Sequence, residues 1–197
     1  MSKTKDRILN CAQELMLSKG FVATSLDDIC RKAGITKGGF FHYFKSKEDL
    51  GKILLNRFCC SSREAMQACC CGAHDEKDPL RRIHSYIDFT KKMARETVKG
   101  KGCLIGTFAQ ELSESHPGIR SLCAKGFEEW AKVLKKDMKD AKAKYAPKAP
   151  FDPASLAEHF IAIVEGSQIL AKAKKDSKLM EKNLQHFENY LKTLFKN

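Results

Sequence analysis

Apolar residues recur along this chain at spacings of three and four almost without interruption, the period that lines one face of an α-helix. Ile8, Leu9, Ala12, Leu15 and Met16 mark a first helix, which Gly20 ends. Thr24 or Ser25 caps a second, with Asp27 and Asp28 in its first turn and Leu26, Ile29, Cys30 and Ala33 on its apolar face. Gly34 ends that helix. Thr36 caps a short third helix reaching Tyr43. Ser46 caps a fourth, with Asp49 at its third position in an arrangement close to a capping box. It carries Leu50, Ile53, Leu54 and Phe58 and runs to about Cys71, where Gly72 is a natural stop.

The same period continues beyond. Asp78-Pro79 reads as the cap and first residue of a fifth helix. A break at Lys99-Gly100-Lys101-Gly102 precedes a sixth from Leu104 to about Ser113, and Pro117 opens a long seventh towards Tyr145. Ala146-Pro147-Lys148-Ala149-Pro150 is a linker, Asp152-Pro153 starts a helix to about Ala173, and Ser177 caps a last one ending near Phe195. No alternating strand pattern or internal repeat interrupts the series. The pattern predicts an all-α protein of about nine helices. Three short helices form an N-terminal bundle over residues 1–50, and a larger helical domain occupies 51–197.

Composition narrows the class. With 197 residues, 43% of them hydrophobic, and only 5 prolines and 12 glycines, the chain can bury a sizeable core. The N-terminus is polar and leads directly into a helix, so no secretory signal is expected. The longest purely apolar run, Phe160 to Val164, falls far short of the roughly 20 residues of a membrane span. Nine cysteines, an odd number with five in adjacent runs at 59–60 and 69–71, read as reduced thiols in a cytoplasm. The charge of +12 attracts polyanions, and its distribution matters more than its sum. Residues 1–50 hold nine basic and six acidic residues, yet Arg31 to Lys47 holds five basic residues and no acid.

The stretch Thr24 to Lys47, which contains that acid-free run, spans two short helices joined by a tight turn at Gly34-Ile35-Thr36. This is a helix-turn-helix, whose second helix fits a DNA major groove about 12 Å wide. Gly38 and Gly39 would let its backbone approach base edges, although two glycines inside a helix cost about 1 kcal/mol each against alanine. Lys37 and His42 can read acceptors in the groove. Thr36, Tyr43, Lys47 and Ser25 can donate to phosphates.

The order Gly20-Phe21, Thr24, Ile29, Ala33-Gly34-Ile35-Thr36-Lys37-Gly38, Phe40-Phe41-His42-Tyr43-Phe44, Lys47, Leu50 resembles the signature of the TetR/AcrR family of bacterial transcriptional regulators. The resemblance implies a homodimeric, all-helical repressor that binds a palindromic double-stranded DNA operator and lets go when a small molecule fills a C-terminal pocket. By position it places Lys37, Gly38 and Gly39 at bases, and Ser25, Phe41, Tyr43 and Lys47 at phosphates. Phe41 stands where the family usually has Tyr, so a phenolic phosphate contact is lost. The resemblance also places the dimer interface on the helices at 153–173 and 178–195.

The remainder is less explicit. Phe58, Met66, Tyr86, Phe89, Cys103, Phe108, Phe127 and Trp130 are candidates for the walls of an effector pocket, though plain core is the more ordinary reading of each. Cys103, at a helix N-terminus near Lys99 and Lys101, suggests an alternative: a sensor of oxidants or electrophiles, with Cys123 or the 69–71 run supplying a resolving thiol. The competing reading is that these cysteines are small buried hydrophobes. The cysteine runs at 59–60 and 69–71 lie roughly 13–18 Å apart along one helix, too far to share a zinc ion, and no metal or other cofactor is expected. No nucleotide-binding loop or nucleophile elbow appears, which leaves an enzyme without a motif. The lysine-rich helices at 132–148 and 172–182 read as solvated faces and not as a membrane surface.

Overall fold

A computed structural model describes residues 3–71, 76–97 and 102–195. Gly72 and the break at 99–101 lie outside the described residues. Among those described, regular structure is entirely helical: α1 (Lys3–Lys19), α2 (Leu26–Ala33), α3 (Lys37–Phe41), α4 (Lys47–Cys71), α5 (Pro79–Thr97), α6 (Leu104–Leu112), α7 (Pro117–Tyr145), α8 (Pro153–Lys174) and α9 (Leu179–Phe195).

The helix ends follow from local chemistry. Ser25 Oγ accepts from the Asp28 N–H and the Asp28 carboxylate accepts from the Ser25 N–H, a complete capping box. Gly34 closes α2 in the left-handed region at φ 61°. Thr36 caps α3 by accepting from the Gly39 N–H, and Ser46 Oγ does the same for Asp49 at the start of α4. Helix α3 stops at Phe41, two residues before the expected Tyr43. The start of α9 also differs from expectation. Lys175 turns left-handed at φ 51°, and Asp176, not Ser177, accepts from the Lys178 N–H at 2.9 Å. A tight turn with an acidic acceptor pre-empts the serine.

Two compact units emerge: Met1–Ser61 with Lys101–Gly126, and Ser62–Gly100 with Phe127–Asn197. The boundaries fall inside α4 and α7. In the first unit, Ile8, Leu9, Ala12 and Met16 of α1 and Ile29 of α2 are buried with Phe40, Phe44, Leu50 and Leu54. Helix α6 joins this core, because Phe108 is fully buried with its ring 5.2 Å from Phe21 in edge-to-face geometry. The second unit packs Leu80, Ile83 and Ile87 of α5 with Phe160 and Val164 of α8 and Leu184, Phe187 and Leu191 of α9. No helix of the described residues is long and apolar enough to cross a membrane.

Candidate nucleic-acid interface

Helix α3 presents one side to the core and one to solvent. Phe40 is fully buried and anchors the helix, its ring 5.3 Å from that of Phe44. Thr36, Lys37, Gly38, Phe41 and His42 are exposed, and Gly39 and Tyr43 are half-buried. Phe41 leaves 55% of its surface in water, an unusual cost for so large an apolar ring. The His42 and Tyr43 rings stand edge to face at 4.8 Å. Ser25 is exposed at the start of α2. Of the candidate residues on α3, Lys37, Gly38 and Phe41 are thus open to solvent.

Space around the two glycines is informative. A Cβ at Gly38 would meet nothing nearer than Thr36 Oγ1 at 3.8 Å. One at Gly39 would lie 3.5 Å from the same oxygen and 3.6 Å from Ile35 Cβ. These are ordinary contacts, so nothing within the chain demands glycine here.

Lys37 is not idle in the free protein. Its ammonium lies 2.9 Å from Asp27 Oδ1, joining the two helices of the motif, and this hydrogen-bonded pairing raises the lysine's pKa. Asp27 thus neutralises part of the surface that a phosphate or base would see, and sequence spacing alone did not reveal it. The neighbouring Asp28 carboxyl lies well below the usual carboxylate range, held by Lys19 and then by Ser25.

Lys47 has partners within the chain. Its Nζ donates to the backbone carbonyls of Phe21 at 3.0 Å and Thr24 at 2.9 Å, and lies 4.5 Å from the centroid of the Phe21 ring. Burial pushes its pKa down, with the Glu111 carboxylate acting in opposition. Two of the three donors of its ammonium are thus taken by the α1–α2 turn.

The candidate effector residues divide between the two units. Phe108 is fully buried in the first unit, packed against Phe21. Phe58 is half-buried in the same unit, and Cys103 is buried as the N-cap of α6. In the second unit, Trp130 Nε1 donates to the Tyr86 hydroxyl, Phe127 and Trp130 pack against the apolar core, and Phe89 is half-buried. The side chains of Met66 and Cys69–Cys71, with Lys99 and Lys101, lie outside the described residues. Burial pushes the Cys123 thiol up to about 11, which disfavours the thiolate a resolving cysteine needs. No cluster of three metal-ligating side chains occurs among the described residues.

Comparison with known proteins decides the family. Residues 8–52 match the model of bacterial regulatory proteins of the tetR family. Residues 79–187, more than half the chain, match the tetracyclin repressor-like C-terminal domain. The chain belongs to the TetR family. It is a helix-turn-helix transcriptional regulator, as are its named relatives. One is the transcriptional repressor DhaR of Mycobacterium sp. strain GP1, 26% identical over 97% of this chain and 90% of that protein. Another is the repressor NemR of Escherichia coli K12, 24% identical over 96% of this chain and 94% of that protein. Among solved structures, a regulatory protein TetR from Rhodobacter sphaeroides superposes with a TM-score of 0.81 at 24% identity. That match covers 94% of this chain and 97% of the other. The reduced form of E. coli NemR gives 0.71 at 21%, covering 98% of each. The TetR fold accounts for the nine helices of the described residues in this order.

Proposed function

We propose that this TetR-family protein is a repressor that binds a palindromic operator as a homodimer and is released by a small molecule held in its C-terminal part. The observation that carries the DNA reading is the solvent-facing surface of α3, where Gly38 and Gly39 have room for side chains they lack. Glycine there removes atoms between the helix backbone and whatever docks, and the five basic residues from Arg31 to Lys47 make that partner an anion. Lys37, Gly38, Gly39 and His42 face base edges. Ser25, Thr36, Phe41 and Tyr43 face the sugar-phosphate backbone, with Phe41 making apolar contact. The reading module is residues 1–50, and 51–197 provide effector binding and pairing. Work on a bacterial chromosome places the protein in the cytoplasm.

A two-fold operator needs a two-fold protein. The surface of α8 and α9 supports pairing, because Ile163, Gly166, Leu170, Phe187 and Tyr190 line a groove there, with Leu170 and Tyr190 exposed. For the effector, the Tyr86–Trp130 pair set among apolar residues supports a largely apolar ligand with one polar group.

Footprinting the full chain on sites recovered from its own genome tests this reading. Protection of a palindrome is expected, with half-sites about one helical turn apart or a multiple of it and affinity falling steeply with salt. Leu170→Asp is expected to yield monomers that no longer protect it at the same concentration. Binding without sequence preference sinks the proposal.

A further inference from the structure

The turn between α1 and α2, residues 20–24, is gripped from two sides. From α6, the Glu111 carboxylate accepts from the N–H of Phe21 at 3.2 Å and of Val22 at 2.9 Å. From the start of α4, Lys47 donates to the carbonyls of Phe21 and Thr24. The turn's donors are thus held by an anion and its acceptors by a cation, the charge-assisted arrangement that fixes geometry most firmly. The Thr24 hydroxyl closes the turn internally, donating to the Gly20 carbonyl at 2.6 Å.

Gly20 shows how closely the carboxylate is seated. Its φ of 88° already favours glycine, and a Cβ there would lie 2.3 Å from Glu111 Oε1. Beneath the turn, the Phe21 ring meets Phe108 of the same α6. That apolar contact holds α6 near the turn but is not directional; the two hydrogen bonds define which position along α6 the turn occupies. The residue after the turn is Ser25, the N-cap of α2. Helix α3 follows after the Gly34 turn. Wherever Glu111 holds residues 21 and 22, the helix-turn-helix begins.

We propose that Glu111 is a positioning residue for operator binding: a latch by which α6 fixes the α1–α2 turn, and through it the reading helix. This rests on the DNA-binding reading above. Glu111 touches no DNA, and its effect passes through the turn.

The full-length protein, its footprinted operator and an unrelated duplex of equal length provide the test. Glu111→Ala is expected to weaken operator binding by about tenfold, the scale of losing charge-assisted hydrogen bonds. Affinity for the unrelated duplex should stay unchanged, because phosphate attraction tolerates a shifted helix. Amide hydrogen exchange at Phe21 and Val22 should rise while exchange in α5 and α9 does not. Glu111→Gln, which keeps one acceptor oxygen, should recover part of the operator affinity, and it carries the comparison if the alanine variant unfolds. Operator affinity equal to wild type overturns the latch. So does an equal loss on both duplexes accompanied by a lower melting temperature, since that is mere destabilisation. A wild-type protein without operator preference would show itself before any variant is made, and it would remove the DNA reading and the latch together.

Discussion

Gly38 and Gly39 occupy the first turn of α3, where a Cβ would make only ordinary contacts with Thr36 and Ile35. Alanine at either position relieves the backbone entropy of glycine and keeps the Thr36 cap, whose acceptor reaches the Gly39 N–H at 3.1 Å. Each substitution is therefore expected to raise folding stability by about 0.5 kcal/mol, the low end for a first-turn site. Operator affinity should fall at the same time, because the added methyl sits between helix and groove. Denaturant midpoints and operator titrations on the two variants check both halves, and a variant that gains in both contradicts the docking geometry. At this scale the sequence was readable wherever the chemistry is local. Ser25, Thr36 and Ser46 cap helices that begin at the next residue. Lys47 and Lys37 have intrachain partners that are not local. Their charges are visible in the sequence, but the Phe21 and Thr24 carbonyls and the Asp27 carboxylate that hold them are chosen by folding.

Helix α5 is tied at its first turn to the last turn of α7. Asp78 Oδ1 accepts from the N–H of Leu80 at 2.9 Å and of Arg81 at 3.2 Å, while Oδ2 accepts from Lys144 Nζ at 2.8 Å and from the Tyr145 hydroxyl. Lys144 first, then Tyr145, hold the Asp78 carboxyl well below the ordinary carboxylate range. A carboxyl whose pKa is depressed in the folded state stabilises that state once pH exceeds its unfolded value, about 3.9, and loses the contribution as pH falls through the folded value. Asp78→Asn, which retains a cap acceptor, is expected to cost about 0.5–1 kcal/mol at pH 7, as befits a partly exposed pair. The gap in melting temperature between variant and wild type should persist above pH 5 and narrow progressively below about pH 4. A gap independent of pH would mean the charge is not what matters. The Asp78-Pro79 start of this helix was legible in sequence, and its tether to residues 144 and 145 was not. Helical periodicity orders each element without saying which ends meet.

Over the whole molecule, +12 is spread unevenly, and the acid-free run from Arg31 to Lys47 identifies the partner better than the total does. The all-helical class and the helix-turn-helix were evident from period, caps and spacing. The grouping of α6 with the N-terminal helices was not, because it depends on Phe21 and Phe108, 87 residues apart in the sequence. That grouping bears on how such regulators can be recombined. A chimera cut near residue 50, intended to carry this protein's DNA preference onto a relative, would take Phe21 and Lys47 and leave Phe108 and Glu111 behind. The transplanted head would meet a foreign α6 in place of the ring and carboxylate that seat its turn here. Retargeting therefore calls for a two-piece graft, moving residues 101–126 together with residues 1–61, so that the recognition module arrives with the strut that aims it.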